Sequence, residues 1–360
     1  MIRVGMVGLG KMGLSHLAIV NAHSGVKVAA ACDTTSYLTD ILRDHTGLKC
    51  FSDFDRMLAE EALDAVVIST PSSLHAAMVK KALQRGLHVF CEKPFVLDVN
   101  DGEHLVNLAE GRELVTQVGY HYRFVGAFQE AARVVASGAL GRVHHVRAEA
   151  YGPVVLRPKG STWRSAKKEG GGALYDYACH AIDLINFVVG APESVGGVVL
   201  NRVFSRDVED EVYCSMYYAD GATGQLCVNW SDDSYRKMST KISIWGENGR
   251  VCADRQECQI YLRESHSSLS EIPHGWTVLY TTDLTDEVWF YLRGEEYSAQ
   301  IDYFVKSIES HRVNGKNSFR SALQTDRIVA MIIAGDGKSG SAEPQQPRVQ
   351  ERSFWKRILG

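Results

Sequence analysis

Short apolar runs alternate with segments of helical spacing through the first third of the chain. Helical spacing is found, for example, at 14–20 and 98–110. Strands that alternate with helices predict a doubly wound parallel sheet in an α/β fold. The apolar runs that predict its buried strands lie at 2–7, 26–32, 65–69, 88–91 and 114–119.

The pattern changes after about residue 123. A helix predicted at 128–137 is followed by segments in which polar and apolar residues alternate, as in half-exposed strands. They predict a second α/β domain with a large open, mostly antiparallel sheet that is covered on one face. Helices return at 296–310 and 318–334, whereas 264–285 shows no period. The alternating segments are 142–151, 193–204, 209–218, 223–230, 239–245, 250–253 and 259–263.

Length agrees with two domains, because 360 residues exceed one ordinary hydrophobic core. We predict a first domain at 1–122, a second at 123–340 and a C-terminal tail at 341–360. The tail interleaves aromatic and basic residues, and we expect it to dock on the protein body or on a neighbouring subunit.

Composition indicates a soluble globular protein, with 45% hydrophobic residues, 23% charged residues and a net charge of −4. No basic stripe suggests nucleic acid, and no apolar run approaches the ~18 residues of a membrane span. The eight cysteines form no C-x-x-C pair and lie mostly in apolar runs. We therefore expect buried free thiols, no metal site and a cytoplasmic location.

A glycine motif, G-x-G-x-x-G, begins at Gly8 between the first predicted strand and a helix. In this position the motif predicts a Rossmann dinucleotide site. Gly8 allows a tight turn, Gly10 lets the backbone approach a pyrophosphate, and Gly13 lets helix and strand pack closely. Lys11 and Met12 begin the helix, whose free N–H groups would face the phosphates.

Asp33 ends the second predicted strand, 20 residues after Gly13. The dinucleotide fingerprint has its ribose-binding acid at this spacing. A carboxylate here accepts hydrogen bonds from both ribose hydroxyls and repels a 2′-phosphate, which favours NAD over NADP. The alternative is that Asp33 only caps the next helix.

The turn after the third predicted strand is expected to pass close to the cofactor. Thr70 and Pro71 follow Ser69, the last residue of that strand, and small hydroxyl residues with a proline suit such a turn. His75 follows, either as a ligand contact or as a surface histidine.

Glu92 and Lys93 precede Pro94 at the end of the fourth predicted strand. A lysine at the carboxyl end of a parallel strand points into the crevice where such sheets bind ligands. Pro94 restricts Lys93 to extended geometry. We expect Glu92 and Lys93 at the cofactor, the alternative being a solvated lysine at a strand end.

Asp176 and His180 follow a run of three glycines at 170–172. On a helix, positions i and i+4 share a face, and Asp183 lies near the same face. Facing a hydroxyl substrate, the carboxylate would orient or charge the imidazole, which suits proton transfer. Such a pair also occurs as a purely structural feature.

These motifs together resemble the glucose–fructose oxidoreductase, inositol dehydrogenase and MocA (GFO/IDH/MocA) family. The resemblance implies NAD-dependent hydride transfer at a hydroxyl or keto carbon of a sugar, cyclitol or nucleotide sugar. It implies that Lys93 hydrogen-bonds the reacting hydroxyl, His180 moves the proton, and Asp176 binds a neighbouring hydroxyl or steadies His180. It also implies a homodimer or homotetramer formed through the second sheet.

Two positions depart from that family. Ala178 stands where a glycine is frequent, and His121 where an asparagine is frequent. We expect substrate contacts from His121, Arg123, Trp163 and Arg164, besides Asp176 and His180. The cations Arg123, Arg157, Lys159 and Arg164 would bind an anionic substrate, unless they are solvated loop charges.

Desolvation and a nicotinamide cation would both disfavour charge on Lys93, so we expect its pKa to be lowered. Two other functions fit the same motifs. One is a glycoside hydrolase that uses bound NAD for transient oxidation. The other is a non-catalytic sensor that binds the dinucleotide, although the presence of Lys93, Asp176 and His180 together argues against it.

Overall fold

The computed structural model describes residues 1–154 and 163–336. Its first sheet has six parallel strands in the order β3-β2-β1-β4-β5-β6. The order reverses between β1 and β4, which places the expected ligand crevice beyond their carboxyl ends. The strands are β1 (Ile2–Val7), β2 (Val26–Cys32), β3 (Lys49–Phe51), β4 (Ala65–Ile68), β5 (His88–Cys91) and β6 (Thr116–Val118).

Five helices connect these strands and cover both faces of the sheet. Their packing explains the continuous apolar runs, because a parallel strand is buried on both sides, as all four residues of β4 are. The helices are α1 (Lys11–Asn21), α2 (Ser36–Thr46), α3 (Phe54–Glu60), α4 (His75–Gln84) and α5 (Val99–Glu110).

The second sheet has eight strands in the order β14-β13-β12-β11-β7-β10-β9-β8. Only the β7–β10 pair is parallel. Together the two sheets confirm the predicted fold class. The strands are β7 (Val143–Tyr151), β8 (Ser194–Asn201), β9 (Glu211–Tyr217), β10 (Thr223–Asn229), β11 (Ser239–Gly246), β12 (Gly249–Ala253), β13 (Glu257–Leu262) and β14 (Gly275–Tyr280).

Helices cover one face of this sheet and connect it to the first. The helices α6 (Gly126–Ala136) and α7 (Cys179–Val188) share its core. After the short α8 (Thr281–Leu284), α9 (Glu295–Glu309) packs its apolar face into the core of the first sheet. The last helix, α10 (Phe319–Gly335), contributes to the cores of both sheets. The domain limits at 122 and 340 therefore stay a prediction.

The sequence pattern missed β14, which lies in the segment without a readable period. This strand is at the edge of the sheet and buries neither face completely. Its large residues Trp276, Val278 and Tyr280 are all on the exposed side. An edge strand with its apolar side toward solvent has no buried stripe to reveal it.

All eight cysteines are free thiols, and six of them are buried. No helix within the two described ranges is long and apolar enough to cross a membrane. The same ranges contain no cluster of three or more histidines, cysteines or carboxylates that could hold a metal ion.

Candidate active site

The glycine motif forms the turn between β1 and α1. Gly8 has a φ of +85°, and a Cβ there would lie 2.7 Å from the carbonyl oxygen of Ser69. A Cβ at Gly13 would lie 1.8 Å from the carbonyl oxygen of Gly8. A Cβ at Gly10, in contrast, would meet no heavy atom within 4 Å. The turn therefore requires Gly8 and Gly13 for its own packing, and at Gly10 it leaves open space beside the backbone.

The first turn of α1 is open to an anion. Gly10 is its N-cap, and no side chain forms a capping hydrogen bond there. The N–H groups of Lys11 and Met12 lie in this first turn, where the helix dipole also favours negative charge. Backbone and dipole together fit a bound pyrophosphate.

Asp33 lies beside this turn at the end of β2. Its carboxylate accepts hydrogen bonds from the backbone N–H of Leu9 at 2.5 Å and of Thr35 at 2.7 Å. The N-cap of α2 is Thr35, so Asp33 does not cap that helix, as the alternative interpretation required. The glycine turn holds the carboxylate where ribose hydroxyls would be expected.

The turn after β4 closes the other side of the crevice with Ser69, Thr70 and Pro71. The Ser69 hydroxyl is buried and has no hydrogen-bond partner among residues 1–154 and 163–336. It lies close to Gly13, whose hypothetical Cβ would be 3.5 Å from the Ser69 Cβ. A buried hydroxyl without a partner between two ligand-facing turns fits a polar contact to a cofactor.

The structure contradicts the surface interpretation of His75, and it places both ring nitrogens against backbone carbonyl oxygens. The ring is buried, which lowers its pKa. Its Nδ1 lies 2.8 Å from the carbonyl oxygen of Pro94, and its Nε2 lies 3.0 Å from that of Thr70. His75 therefore holds the turn after β4 against the turn after β5.

Lys93 follows β5 and reaches across to the second domain. Its Nζ lies 3.0 Å from the Asp176 Oδ1 and also 3.0 Å from the Asp176 carbonyl oxygen. The Arg164 Nε donates to the other carboxylate oxygen, Oδ2, at 2.8 Å. The side chains of Lys93 and Asp176 are only 13% and 7% exposed. One buried carboxylate thus joins two cations.

These contacts determine the charges of Lys93 and Asp176. Burial alone would lower the pKa of Lys93, but the Asp176 carboxylate raises it above its usual value. Burial alone would raise the pKa of Asp176, but Lys93 and Arg164 lower it. The expected lowered pKa of Lys93 is therefore wrong for the protein without cofactor, and Lys93 is an ammonium at neutral pH.

His180 lies near Lys93, in the first turn of α7, inside a cluster of rings. Its ring centroid is 6.0 Å from Tyr120, 5.0 Å from His121 and 5.2 Å from Tyr122. Burial and then the positive charge of Lys93 lower the pKa of His180 well below its usual value. Its buried Nδ1 has no partner in the described part of the chain. The imidazole is therefore neutral, and it has a ring nitrogen that can accept a proton.

The structure does not bring Asp176 and His180 together as a hydrogen-bonded pair. The prediction assumed an α-helix, whereas residues Leu174–Ala178 form a π-helical turn before α7. Asp176 lies in this π-helical turn, and His180 lies in the α-helix that follows it. The Asp176 carboxylate turns to Lys93 and Arg164 instead.

His121 lies next to His180, where the sequence placed a substrate contact. Its ring stacks on Tyr297 at 4.5 Å, and its Nε2 is 3.4 Å from the Tyr297 hydroxyl. Burial lowers the pKa of His121 to about 3. Sequence reasoning missed Tyr297, because it comes from α9, 176 residues further along the chain, and belongs to no motif.

Arg123 is not at the substrate cleft, which corrects the expectation from sequence. Its guanidinium is buried and binds both oxygens of Asp183, Nη2 to Oδ1 at 2.6 Å and Nε to Oδ2 at 2.8 Å. The Arg123 Nη1 also donates to the Ser321 hydroxyl. The pair connects the segment after β6 with α7 and α10.

The remaining expected substrate contacts and the tail lie outside what the structure describes. Trp163 begins a short 3₁₀ turn, Trp163–Ser165, but its side chain is outside what the structure describes. Arg157, Lys159 and the tail at 341–360 also lie outside the described residues.

Two family models match this chain. Residues 2–120 match the NAD-binding Rossmann fold of an oxidoreductase family, and residues 128–252 match the C-terminal domain of GFO/IDH/MocA proteins. The chain belongs to the GFO/IDH/MocA family. This membership confirms the predicted oxidoreductase class and NAD as cofactor, and the glycine turn, Asp33 and Ser69 fit that cofactor.

Individual relatives of this chain are also named as oxidoreductases or dehydrogenases. An uncharacterized oxidoreductase of Schizosaccharomyces pombe is 33% identical over 72% of this chain and 68% of its own length. Myo-inositol 2-dehydrogenase of Thermotoga maritima is 23% identical over 97% of this chain and 99% of its own. The solved structure of levoglucosan dehydrogenase with NADH has the same fold, with a TM-score of 0.82, 22% identity and coverage of 94% of this chain and 97% of that one.

Gly10→Ala is expected to weaken NAD⁺ binding without unfolding the protein. The added methyl group enters open space in the protein but occupies the path of the pyrophosphate. We expect the dissociation constant for NAD⁺, measured by calorimetry, to rise about tenfold or more, which is about 1.4 kcal/mol. The thermal midpoint of Gly10→Ala is the control for folding and should equal that of wild type, because the added methyl group meets no heavy atom of the described residues within 4 Å. Unchanged NAD⁺ affinity in Gly10→Ala would contradict the assigned site.

Proposed function

We propose that this protein is an NAD-dependent dehydrogenase or reductase that acts on a CH–OH or keto carbon of a sugar, cyclitol or nucleotide sugar. The observation that carries the proposal is that Lys93, which follows β5 of the NAD-binding sheet, binds Asp176 of the second domain and lies close enough to His180 for its charge to lower the pKa of that imidazole. Relatives named for activity on myo-inositol and levoglucosan support this substrate class.

The charges of Lys93, His180 and Asp176 indicate what each side chain does in the reaction. Bound NAD supplies the hydride acceptor or donor. Lys93, an ammonium, donates a hydrogen bond to the reacting oxygen and stabilises negative charge there. His180, neutral and buried, accepts the hydroxyl proton during oxidation and returns it during reduction. Asp176 holds the Lys93 ammonium and the Arg164 guanidinium in place.

Polar side chains around His180 suit a substrate with several hydroxyl groups. His121 and Tyr297 lie on one side of the imidazole, and Arg164 reaches Asp176 near the Lys93 ammonium. A polyol requires hydrogen-bond donors and acceptors at several positions around the reacting carbon. Without them, each of its other hydroxyl groups would lose its hydration on binding and gain no partner.

We also infer a homodimer or homotetramer in the cytoplasm. Exposed aromatic and apolar residues on β9 and β14, including Tyr217, Trp276 and Tyr280, support association through the uncovered face of the second sheet. Free thiols at every cysteine support a reducing compartment. Light scattering of the purified protein and of Trp276→Glu tests the assembly, and a monomeric wild-type protein would contradict it.

The test of function is nicotinamide absorbance with inositols, free sugars, uronic acids and nucleotide sugars, using NAD⁺ and NADP⁺, and with ketosugars using NADH. We expect net turnover with one compound class and a preference for NAD⁺ that Asp33→Ala reduces, because the carboxylate repels a 2′-phosphate. Tight NAD⁺ binding without net turnover of any compound would contradict the proposal and favour the hydrolase or the sensor.

A further inference from the structure

A buried histidine in α1 is not explained by the site described above. His16 follows the glycine motif by three residues, and its side chain is 0% exposed. Its ring contacts the ring of Phe90, on β5, in an edge arrangement at 5.2 Å. The helix that begins at the phosphate-binding turn therefore presents an imidazole to β5, the strand that precedes Lys93.

This imidazole binds the carboxylate of Glu92. The His16 Nε2 lies 2.6 Å from the Glu92 Oε1. Burial would raise the pKa of Glu92, but the hydrogen bond from His16 and the nearby positive charge lower it. A carboxylate only accepts hydrogen bonds, so the Nε2 carries the proton and donates it.

The rest of the Glu92 carboxylate faces Lys93 and β6. Its Oε2 accepts the backbone N–H of Lys93 at 3.1 Å. A Cβ at Gly119 would come within 3.0 Å of the carboxylate carbon and of both oxygens. The absence of a side chain at Gly119 therefore admits the carboxylate between α1 and the backbone of Lys93.

We propose that His16 is a positioning residue that acts through Glu92 to hold Lys93 in place relative to the cofactor-binding helix. The inference rests on the role proposed for Lys93. The hydrogen bonds run from the His16 Nε2 to the Glu92 carboxylate and from there to the Lys93 N–H. The Nδ1 of His16 is buried without a partner among the described residues, so Glu92 is the polar group that accounts for the histidine.

His16→Leu and His16→Gln separate positioning from simple core packing. Glutamine keeps a side-chain N–H that can reach Glu92, whereas leucine fills the space without a donor. A misplacement of about 1 Å at a catalytic group lowers turnover by about 100-fold. We expect that loss of kcat in His16→Leu, with little change in the KM for NAD⁺. His16→Gln is expected to recover most of the lost kcat.

The same variants in a Glu92→Gln background test whether His16 acts through Glu92. If it does, His16→Leu lowers kcat by less than about twofold further once the carboxylate is gone. The thermal midpoint provides a second readout that needs no substrate. His16→Leu is expected to lower it by about 5 °C, because a buried carboxylate loses its partner, and by much less in the Glu92→Gln background.

The possible failures are distinct. Equal kcat values for His16→Leu, His16→Gln and wild type, or fully additive effects of His16 and Glu92 on kcat or on the thermal midpoint, would overturn the positioning role. Lys93→Met that retains turnover would instead overturn the proposed function, whatever the His16 variants do. Lys93→Met without activity, together with a fully active His16→Leu, would reject this inference alone.

Discussion

Lys93→Met is expected to lower kcat by about 10²- to 10³-fold, which is the loss seen when an enzyme loses a preorganised donor at a reacting oxygen. Methionine keeps the length and most of the apolar contacts of the side chain but has no charge and no N–H donor. Asp176 keeps its ion pair with Arg164, so we expect the variant to fold and to bind NAD⁺. Steady-state kinetics and an NAD⁺ titration measure the two properties separately.

Two controls make this result specific. Lys80→Met changes an exposed lysine on α4 and should leave kcat unchanged. Lys93→Arg keeps the charge, but a planar guanidinium does not place a donor where the ammonium has it, so we expect intermediate activity. Turnover by Lys93→Met near the wild-type rate would show that the reacting oxygen is stabilised elsewhere.

The separation of charge between Lys93 and His180 explains why the site contains both. The pKa of Lys93 is raised by Asp176, so this side chain is already protonated; it cannot accept the hydroxyl proton, but it can donate a hydrogen bond to an oxygen that becomes negative. The His180 imidazole is unprotonated and its Nδ1 has no partner among the described residues, so it is the group with a nitrogen that can accept the proton. The same Lys93 charge lowers the pKa of His180, so the two assignments depend on each other. Environments that move two neighbouring pKa values apart are typical of acid–base sites.

Local sequence patterns predicted the fold and the position of the cofactor turn because both depend on short-range constraints. Gly8 needs a positive φ and Gly13 tolerates no Cβ, so the motif at this strand–helix junction carries its geometry in a few adjacent residues. The strand runs could be read because parallel strands are buried on both faces. In β14 neither face is fully buried, and the sequence pattern did not predict this strand.

Predictions that depended on distant partners were less successful. The pKa of Lys93 depends on Asp176, which lies 83 residues away, and no spacing rule shows that the two meet. His75 was expected either as a ligand contact or as a surface histidine, but its ring lies in the interior beside the carbonyl of Pro94. Asp176 binds Lys93 and Arg164 and not His180, and no residue spacing predicted either contact. Long-range contacts and local helix irregularities are not encoded in residue spacing.

Arg123→Met is expected to lower the free energy of unfolding by about 3–5 kcal/mol, measured by urea denaturation at neutral pH. The substitution leaves the buried Asp183 without its bidentate partner, and an uncompensated buried charge is strongly destabilising. Arg123→Met combined with Asp183→Leu should recover much of the loss, since an apolar pair can replace a buried ion pair. Arg142→Met is the surface control, because Arg142 and its partner Glu247 are 62% and 58% exposed. We expect it to lose no more than about 1 kcal/mol.

The same Arg123 variant also decides between a structural and a substrate-binding arginine. A guanidinium that only joins α7, α10 and the segment after β6 contributes to stability, so the KM for substrate of the folded Arg123→Met protein should equal that of wild type. An arginine that bound an anionic substrate would give the opposite pattern, with a stability close to wild type and a KM raised about tenfold or more. The free energy of unfolding and the KM for substrate should be measured on one preparation, the KM at a temperature where the variant is folded. The Asp183 contacts predict a loss of stability and no change in KM, so the two measurements separate the two roles.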